Sequence, residues 1–231
     1  MSERLKLSDV LAADLPDWRM MLNALFATYR TGSFTAGLAF IQQITEAAEE
    51  ANHHPDLTLT YPRVEVKLNS HDVGGVTDRD LALARSISDL AASAGHEAVT
   101  DHTMVEFGLD TMRVGEQAEF WAAVLGSKVV DDEVVGTTYA PQVWFQPSES
   151  AGPATAGEGR IQRWHPDIWV PHDEPETRIK AVLDAGGALV DDSRAPEWWV
   201  MADPDGNRFC ICTSLPPLGA DADPRTRPQP G

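Results

Sequence analysis

The side chains best suited to acid and base chemistry lie in one short stretch. His53 and His54 are adjacent and precede Pro55, and His71 follows further along the chain. An imidazole has an unperturbed pKa of about 6.5, so both of its protonation states are populated near neutral pH. A positioned proton donor or acceptor typically contributes about 10² to 10⁴ in rate. The three histidines are therefore predicted to form a site of general acid and base catalysis.

Polar residues around these histidines are candidates for supporting the site or binding its substrate. They are Glu49, Ser70, Asp72 and Asp80. Glu49 is one helical turn before His53 and is expected to orient a histidine. Asp80 has two interpretations, because with Thr77 it also completes a capping box, which is a purely structural role.

Two predicted helices enclose the histidine segment. After Ser33, apolar residues recur at three- and four-residue steps as far as Ala51, which predicts a helix. Residues 57–68 alternate in the manner of half-buried antiparallel strands, and Thr77 begins a second helix that Gly95 ends. With a short helix from Ser8 and a hairpin over 18–29, the order predicts an α+β fold, an antiparallel sheet with helices on one face.

The end of the first long helix sets the direction of the adjacent histidines. Neighbouring residues of an extended segment point to opposite faces, so His53 and His54 can face one ligand only where the chain bends at Pro55. An irregular turn is therefore predicted at the wall of a pocket.

This segment carries a recognisable motif. It reads AEEANHHPDLTLTYPRVEVKLNSHDVGGVTDRDLALA. It resembles the pterin-4a-carbinolamine dehydratases, whose pattern is an acidic residue, three residues, His-His-Pro, an aromatic residue, nine residues, His and a later Asp. By that resemblance the active-site histidines are His53, His54 and His71, Pro55 shapes the turn, and Glu49 and Asp80 support them.

The resemblance implies a lyase that removes water from a 4a-hydroxytetrahydropterin and yields a quinonoid dihydropterin. The step needs a proton for the departing hydroxyl and a base for a ring nitrogen, so histidines suffice and no metal or redox cofactor is required. The role of each histidine stays open. The resemblance also implies a homo-oligomer.

Two other interpretations compete with catalysis. Three histidines could hold zinc, although adjacent histidines are an awkward ligand pair. The chain could also be a non-catalytic protein that binds a pterin or another small molecule, since members of this family also act as coactivators.

The second half of the chain contains a weak internal repeat. A strand, a helix, a glycine and a strand ending in Val-Asp-Asp occur after Val105 and again after Ile168. A duplicated β-α-β-β-β unit is the simplest interpretation. The phrases FWAAVLG and DPDGNRFCI resemble the glyoxalase and vicinal-oxygen-chelate superfamily.

Active members of that superfamily hold a divalent metal with His and Glu side chains. Here Cys210 stands at the final ligand position, and the first strand offers Glu106 and Asp110 but no histidine, although His165 is close to a ligand position. We expect a metal-free module whose ligand is unknown. Its tryptophans are expected to pack in the core or at an interface, or else to line a pocket: Trp121, Trp144, Trp164, Trp169, Trp198 and Trp199.

The composition of the chain limits the classes of partner that it is expected to bind. Acidic residues outnumber basic ones by 36 to 18, and the formal net charge is -18, so nucleic acid is not expected as a ligand. No segment has the length and apolarity of a signal peptide or a membrane span, and the protein is expected in the cytoplasm.

Cys210 and Cys212 share one face of a strand, too close for an ordinary disulfide.

These observations predict two domains. The boundaries are a dehydratase-like domain at 1–96, a linker at 97–103, a glyoxalase-like domain at 104–214 and a flexible tail at 215–231. A Ser-, Ala- and Gly-rich connection is expected at 148–159.

Overall fold

A computed structural model describes residues 3–136, 141–148, 163–204 and 206–217. The chain forms two compact units, Met1–His102 with Pro171–Asp173, and Thr103–Val170 with Glu174–Gly231. Among the described residues, no helix has the length and apolarity needed to cross a membrane. Most of the predicted connection at 148–159 and of the predicted tail lies outside the described residues.

The first unit has the predicted order of elements. Its helices are α1 (Leu7–Ala12), α2 (Phe34–Ala51) and α3 (Asp78–Ala94), and its strands are β1 (Arg19–Met21), β2 (Ala24–Arg30), β3 (Asp56–Thr60), β4 (Arg63–Leu68) and β5 (Glu97–Val99). The strands pair antiparallel in the order β1-β2-β4-β3. The predicted α+β class is confirmed, as are the hairpin after α1 and the strand pair at 57–68.

The packing of this unit follows the sequence pattern. On β4, Val64 and Val66 are buried while Arg63 and Glu65 are exposed, so one face of the sheet is covered. The helix α2 packs against α3, β3 and β4. Burial of this apolar stripe supplies most of the stabilisation of a surface helix in a globular unit.

Part of the segment predicted as a linker, 97–103, forms a strand in the structure. Residues 97–99 form β5, which pairs antiparallel with the end of β2 through Thr28, Tyr29 and Arg30. The first unit therefore reaches His102 rather than residue 96. Three residues are too few for alternation to stand out in a sequence, and pairing with β2 decides their conformation.

The second unit repeats β-α-β-β-β, as predicted. The first copy contains β6 (Met104–Thr111), α4 (Val114–Leu125), β7 (Val129–Val130), β8 (Glu133–Val134) and β9 (Val143–Pro147), and the second contains β10 (Trp164–Trp169), α5 (Pro175–Asp184), β11 (Ala188–Asp191), β12 (Trp198–Ala202) and β13 (Arg208–Cys212). One sheet runs β11-β12-β13-β10-β6-β9-β8-β7. The two copies meet where β6 and β10 pair antiparallel.

Candidate functional site

The turn after α2 directs the two adjacent histidines differently. Asn52 adopts a left-handed conformation with φ 47°, and the His53 amide donates to the Ala48 carbonyl at 3.1 Å. The left-handed conformation ends the helix, and asparagine is one of the few residues that tolerate it. His53 is then 8% exposed, whereas the His54 side chain is 57% exposed. The predicted irregular turn is present, with one histidine buried and the other at the surface.

His53 is bound to Asp80 from the start of α3. Its Nε2 lies 2.7 Å from Asp80 Oδ1, and Asp80 is fully buried. The second oxygen, Oδ2, accepts hydrogen bonds from Ser70 Oγ at 2.7 Å, the Thr77 amide at 2.7 Å and Thr77 Oγ1 at 3.1 Å. Several donors on a buried carboxylate offset the loss of its hydration.

Asp80 therefore makes the capping contact and also contacts one of the histidines that the sequence singles out. The capping box between Thr77 and Asp80 is present and begins α3. The structure assigns that role to Oδ2, while Oδ1 contacts His53. The capping motif in the sequence does not reveal the contact between Asp80 and His53, because these two residues are 27 positions apart.

The loop after β4 contains His71, which directly follows Ser70, a hydrogen-bond partner of Asp80. Ser70 and Gly75 form an antiparallel bridge that closes the loop, and Ser70 also hydrogen-bonds Asp80. His71 is the next residue and is exposed. Within the part of the chain that the structure describes, its side chain makes no hydrogen bond or ion pair.

Two further acidic residues contact partners at the surface. Glu49 Oε1 lies 3.3 Å from His54 Nε2, so Glu49 contacts the exposed histidine and not the buried one. Asp72 accepts a hydrogen bond from Arg79 at 2.5 Å. This bond holds the pKa of Asp72 below its usual value, and the nearby His53 acts in the same direction. The sequence points to Arg79 only through its position between the capping residues Thr77 and Asp80.

The second unit has its own polar cluster, on the face of the sheet that carries Glu106. In β10, His165 and Asp167 lie on this face, and Asp167 pairs in register with Glu106 of β6 and with Cys210 of β13. The ligand atoms of His165, Asp167 and Cys210 all lie within 4.8 Å of one another. Cys210 and Cys212 are free thiols.

Four of the six tryptophans of this unit form two groups. Trp144 and Trp169 donate hydrogen bonds from their indole nitrogens, to Asp167 at 3.1 Å and to Glu106 at 2.5 Å. Trp121 and Trp164 pack edge to face at 5.0 Å and border a cavity of about 390 Å³. The remaining walls of this cavity are apolar: Phe107, Leu125, Pro141 and Val143.

Comparison with known proteins divides the chain in the same way. Residues 3–90 match the family model of pterin 4 alpha carbinolamine dehydratase. A relative from Thermomicrobium roseum named "Putative pterin-4-alpha-carbinolamine dehydratase" is 44% identical over 82 residues, which cover 36% of this chain and 88% of the relative. A protein of the same name from Thermosynechococcus vestitus is 43% identical over 93 residues, covering 39% and 98%.

The chain belongs to the pterin-4-alpha-carbinolamine dehydratase family. A solved transcriptional coactivator/pterin dehydratase from Brucella melitensis aligns with 38% of this chain and 99% of its own, at 30% identity and a TM-score of 0.37. Residues 106–212 match the glyoxalase-like domain model. The comparisons therefore find both of the families that the sequence motifs resemble. A glyoxalase/bleomycin resistance protein/dioxygenase superfamily member from Vibrio splendidus aligns with 48% of this chain and 99% of its own, at 18% identity and a TM-score of 0.32.

The metal that the glyoxalase resemblance implies can be tested against the residues present. The expected set of histidine and glutamate ligands is not there, since Cys210 occupies the final position and the indole of Trp169 binds Glu106. A different set of donors converges instead, namely His165, Asp167 and Cys210. One imidazole, one carboxylate and one thiol are chemically suited to a divalent transition metal.

Proposed function

We propose that the first unit dehydrates a 4a-hydroxytetrahydropterin to a quinonoid dihydropterin and water, with histidines as the acid and base. The observation that carries the proposal is the buried contact of 2.7 Å between His53 Nε2 and Asp80 Oδ1. Ser70, the residue before His71, binds the same carboxylate, so Asp80 contacts one histidine and the neighbour of a second. Family membership supports the pterin as the substrate.

The contact with Asp80 determines which nitrogen of His53 is available. Because the Asp80 carboxylate acts as the acceptor in its other contacts, we assign the proton of His53 to Nε2 and the lone pair to Nδ1. Among the described residues, Nδ1 has no hydrogen-bond partner. We assign His53 Nδ1 as the base that removes the proton from the ring nitrogen. Asp80 keeps the tautomer fixed and stabilises the positive charge that develops on the imidazole.

The exposed histidines are suited to the opposite proton transfer. The carbon–oxygen bond breaks as the hydroxyl takes a proton, and the products are water and the dihydropterin. We assign this donor role to His54 or His71, both of which are exposed to solvent. Glu49 orients His54 through its contact of 3.3 Å. Pro55 and Asp72 are proposed to shape the turn and the loop that carry these donors.

A dehydration assay with synthetic 4a-hydroxytetrahydropterin tests the assignment. The His53→Ala, His54→Ala, His71→Ala triple variant should return to the uncatalysed rate, while His96→Ala should keep the wild-type rate. His96 is a suitable control because it packs on Phe40 and takes no part in the contacts with Asp80. Undiminished turnover in the triple variant would exclude histidine catalysis. A wild-type protein that binds the pterin without turnover would instead favour a binding or coactivator role.

We also infer that the first unit forms a homo-oligomer through α2. Phe34 and Leu38, one turn apart on this helix, are 54% and 49% exposed. Exposed apolar side chains on one helix face are typical of association surfaces. Light scattering of the Phe34→Ser, Leu38→Ser double variant should give a smaller mass than the wild type, and Leu11→Ser, on α1, should not. A monomeric wild type would contradict the inference.

A further inference from the structure

The two residues on either side of His71 are held by the start of α3. Ser70 Oγ donates a hydrogen bond to Asp80 Oδ2 at 2.7 Å. On the other side, Asp72 Oδ1 accepts a hydrogen bond from Arg79 Nη2 at 2.5 Å. Arg79 and Asp80 are consecutive residues in the first turn of α3. This turn therefore anchors the residues before and after a histidine whose own side chain makes no hydrogen bond or ion pair among the described residues.

The same stretch is a tight turn with His71 at its corner. The Val73 amide donates to the Ser70 carbonyl at 3.1 Å, and an antiparallel bridge closes the loop behind it. His71 and Asp72 are thus the two central residues of a four-residue turn. Because the central residues of such a turn share one backbone geometry, a displacement of Asp72 is expected to rotate His71 as well. The position of the imidazole then depends on the contact between Asp72 and Arg79.

The contact between Arg79 and Asp72 is charge-assisted and lies within electrostatic reach of the proposed base. The hydrogen bond from Arg79 holds the pKa of Asp72 below its usual value, and the charge of His53 acts in the same direction. The side chains of Arg79 and Asp72 are 40% and 63% exposed, so the pair adds little to the stability of the fold. An effect of the pair on dehydration would therefore come from the position of the turn and not from folding.

We propose that Arg79 is a positioning residue for His71. By holding Asp72, it keeps the turn, and with it the imidazole of His71, in one orientation relative to the start of α3. The orientation matters for catalysis only if His71 takes part in the dehydration, so this proposal rests on the function proposed for the first unit.

Steady-state dehydration by the full-length protein tests the role. Arg79→Gln should lower kcat by about 10-fold, a part of the about 10² to 10⁴ that a positioned acid or base contributes, and should leave KM nearly unchanged. Arg79→Lys keeps a cation within reach of Asp72 and should restore most of the rate. Arg85→Gln, which changes an exposed arginine further along α3, should match the wild type. The urea midpoints of all three variants should stay close to that of the wild type.

Double variants identify the histidine through which Arg79 acts. In a His71→Ala background, Arg79→Gln should cause no further loss, because the group that it positions is already gone. In a His54→Ala background, the loss caused by Arg79→Gln should persist in full. An equal loss in the two backgrounds, or full activity of Arg79→Gln alone, would overturn the proposal.

A readout that needs no turnover separates this proposal from the proposed function. In side-chain NMR spectra of the full-length protein with isotope-labelled histidine, Arg79→Gln should shift or broaden the resonances of His71 and leave those of His96 unchanged. If the wild type does not dehydrate the pterin but His71 still responds to Arg79→Gln, dehydration is excluded and the positioning contact is retained. Unchanged His71 resonances in a protein that does dehydrate the pterin would overturn the positioning role alone.

Discussion

Each unit of the chain contains a histidine near an aspartate, but the two pairs differ in what surrounds the carboxylate. In the first unit, His53 and Asp80 are 2.7 Å apart, and the other carboxylate oxygen receives three hydrogen bonds. In the second unit, His165 Nε2 and Asp167 Oδ1 are 3.6 Å apart, which is longer than a hydrogen bond, and Cys210 completes a triangle of donors. The first arrangement positions a histidine, and the second can receive an ion.

The largest expected effect is on dehydration. His53→Ala should lower the rate by about 10² to 10⁴, because it removes the proposed base. His165→Ala, the equivalent change in the other unit, should leave the rate unchanged. Single-turnover dehydration measured for both variants checks this. An equal loss in the two variants would show that the comparison between the units is wrong.

Removal of Asp80 should have the next largest effect. Asp80→Ala removes a helix cap and leaves buried donors unsatisfied, so the free energy of unfolding should fall by about 2 to 4 kcal/mol. Asp78→Ala, an exposed neighbour in the first turn of α3, should cost much less. Urea denaturation followed by circular dichroism measures both. A small loss in Asp80→Ala would mean that the carboxylate is not needed for folding.

A metal that binds the cluster of His165, Asp167 and Cys210 should stabilise the second unit in particular, and zinc is the probe. At a free zinc concentration of about 100 times Kd, binding contributes about 2.7 kcal/mol to the unfolding free energy of the unit that binds it. Calorimetric melting of the wild type should shift upward with zinc, and that of Cys210→Ser should not. The shift should persist in His53→Ala. If it disappeared there and persisted in Cys210→Ser, the zinc would belong to the histidines of the first unit.

The smallest effect concerns the exposed pair of Asp72 and Arg79. The hydrogen bond from Arg79 lowers the pKa of Asp72 in the folded state, so the pair stabilises the protein above the unfolded pKa of 3.8. The contribution is lost as the pH falls through the folded pKa. Asp72→Asn should therefore lower the urea midpoint slightly at pH 7 and have no effect in acid. A difference that persists in acid would exclude the electrostatic explanation.

Local signals in the sequence predict many of the elements. Three signals depend only on neighbours within a few residues: the spacing of apolar residues after Ser33, the capping box at Thr77 and the stop at Gly95. The bounds of α2 and α3 agree closely with these signals. The duplicated unit was predicted because both copies repeat the same local features. The three-residue β5 was missed because its conformation depends on pairing with β2.

The contacts that define the two sites depend on tertiary structure. The sequence identified both His53 and Asp80, but their contact depends on how α2 and α3 pack. It also identified His165 and Cys210 as candidates for ligand positions. Their convergence with Asp167 depends on β13 being the neighbour of β10, a strand order that no local pattern encodes.

Because Asp80 caps α3 and also contacts His53, the order of the helix start and the order of the histidine ring are coupled. The carboxylate that closes the first turn of α3 also holds the ring of His53, so fraying of that turn releases the ring in the same event. The lifetime of the ordered site is then set by a local opening of the helix start, which amide hydrogen exchange at residues 78–81 would follow. A change that loosens this turn, even far from His53, would shorten the time for which the proposed base is correctly placed.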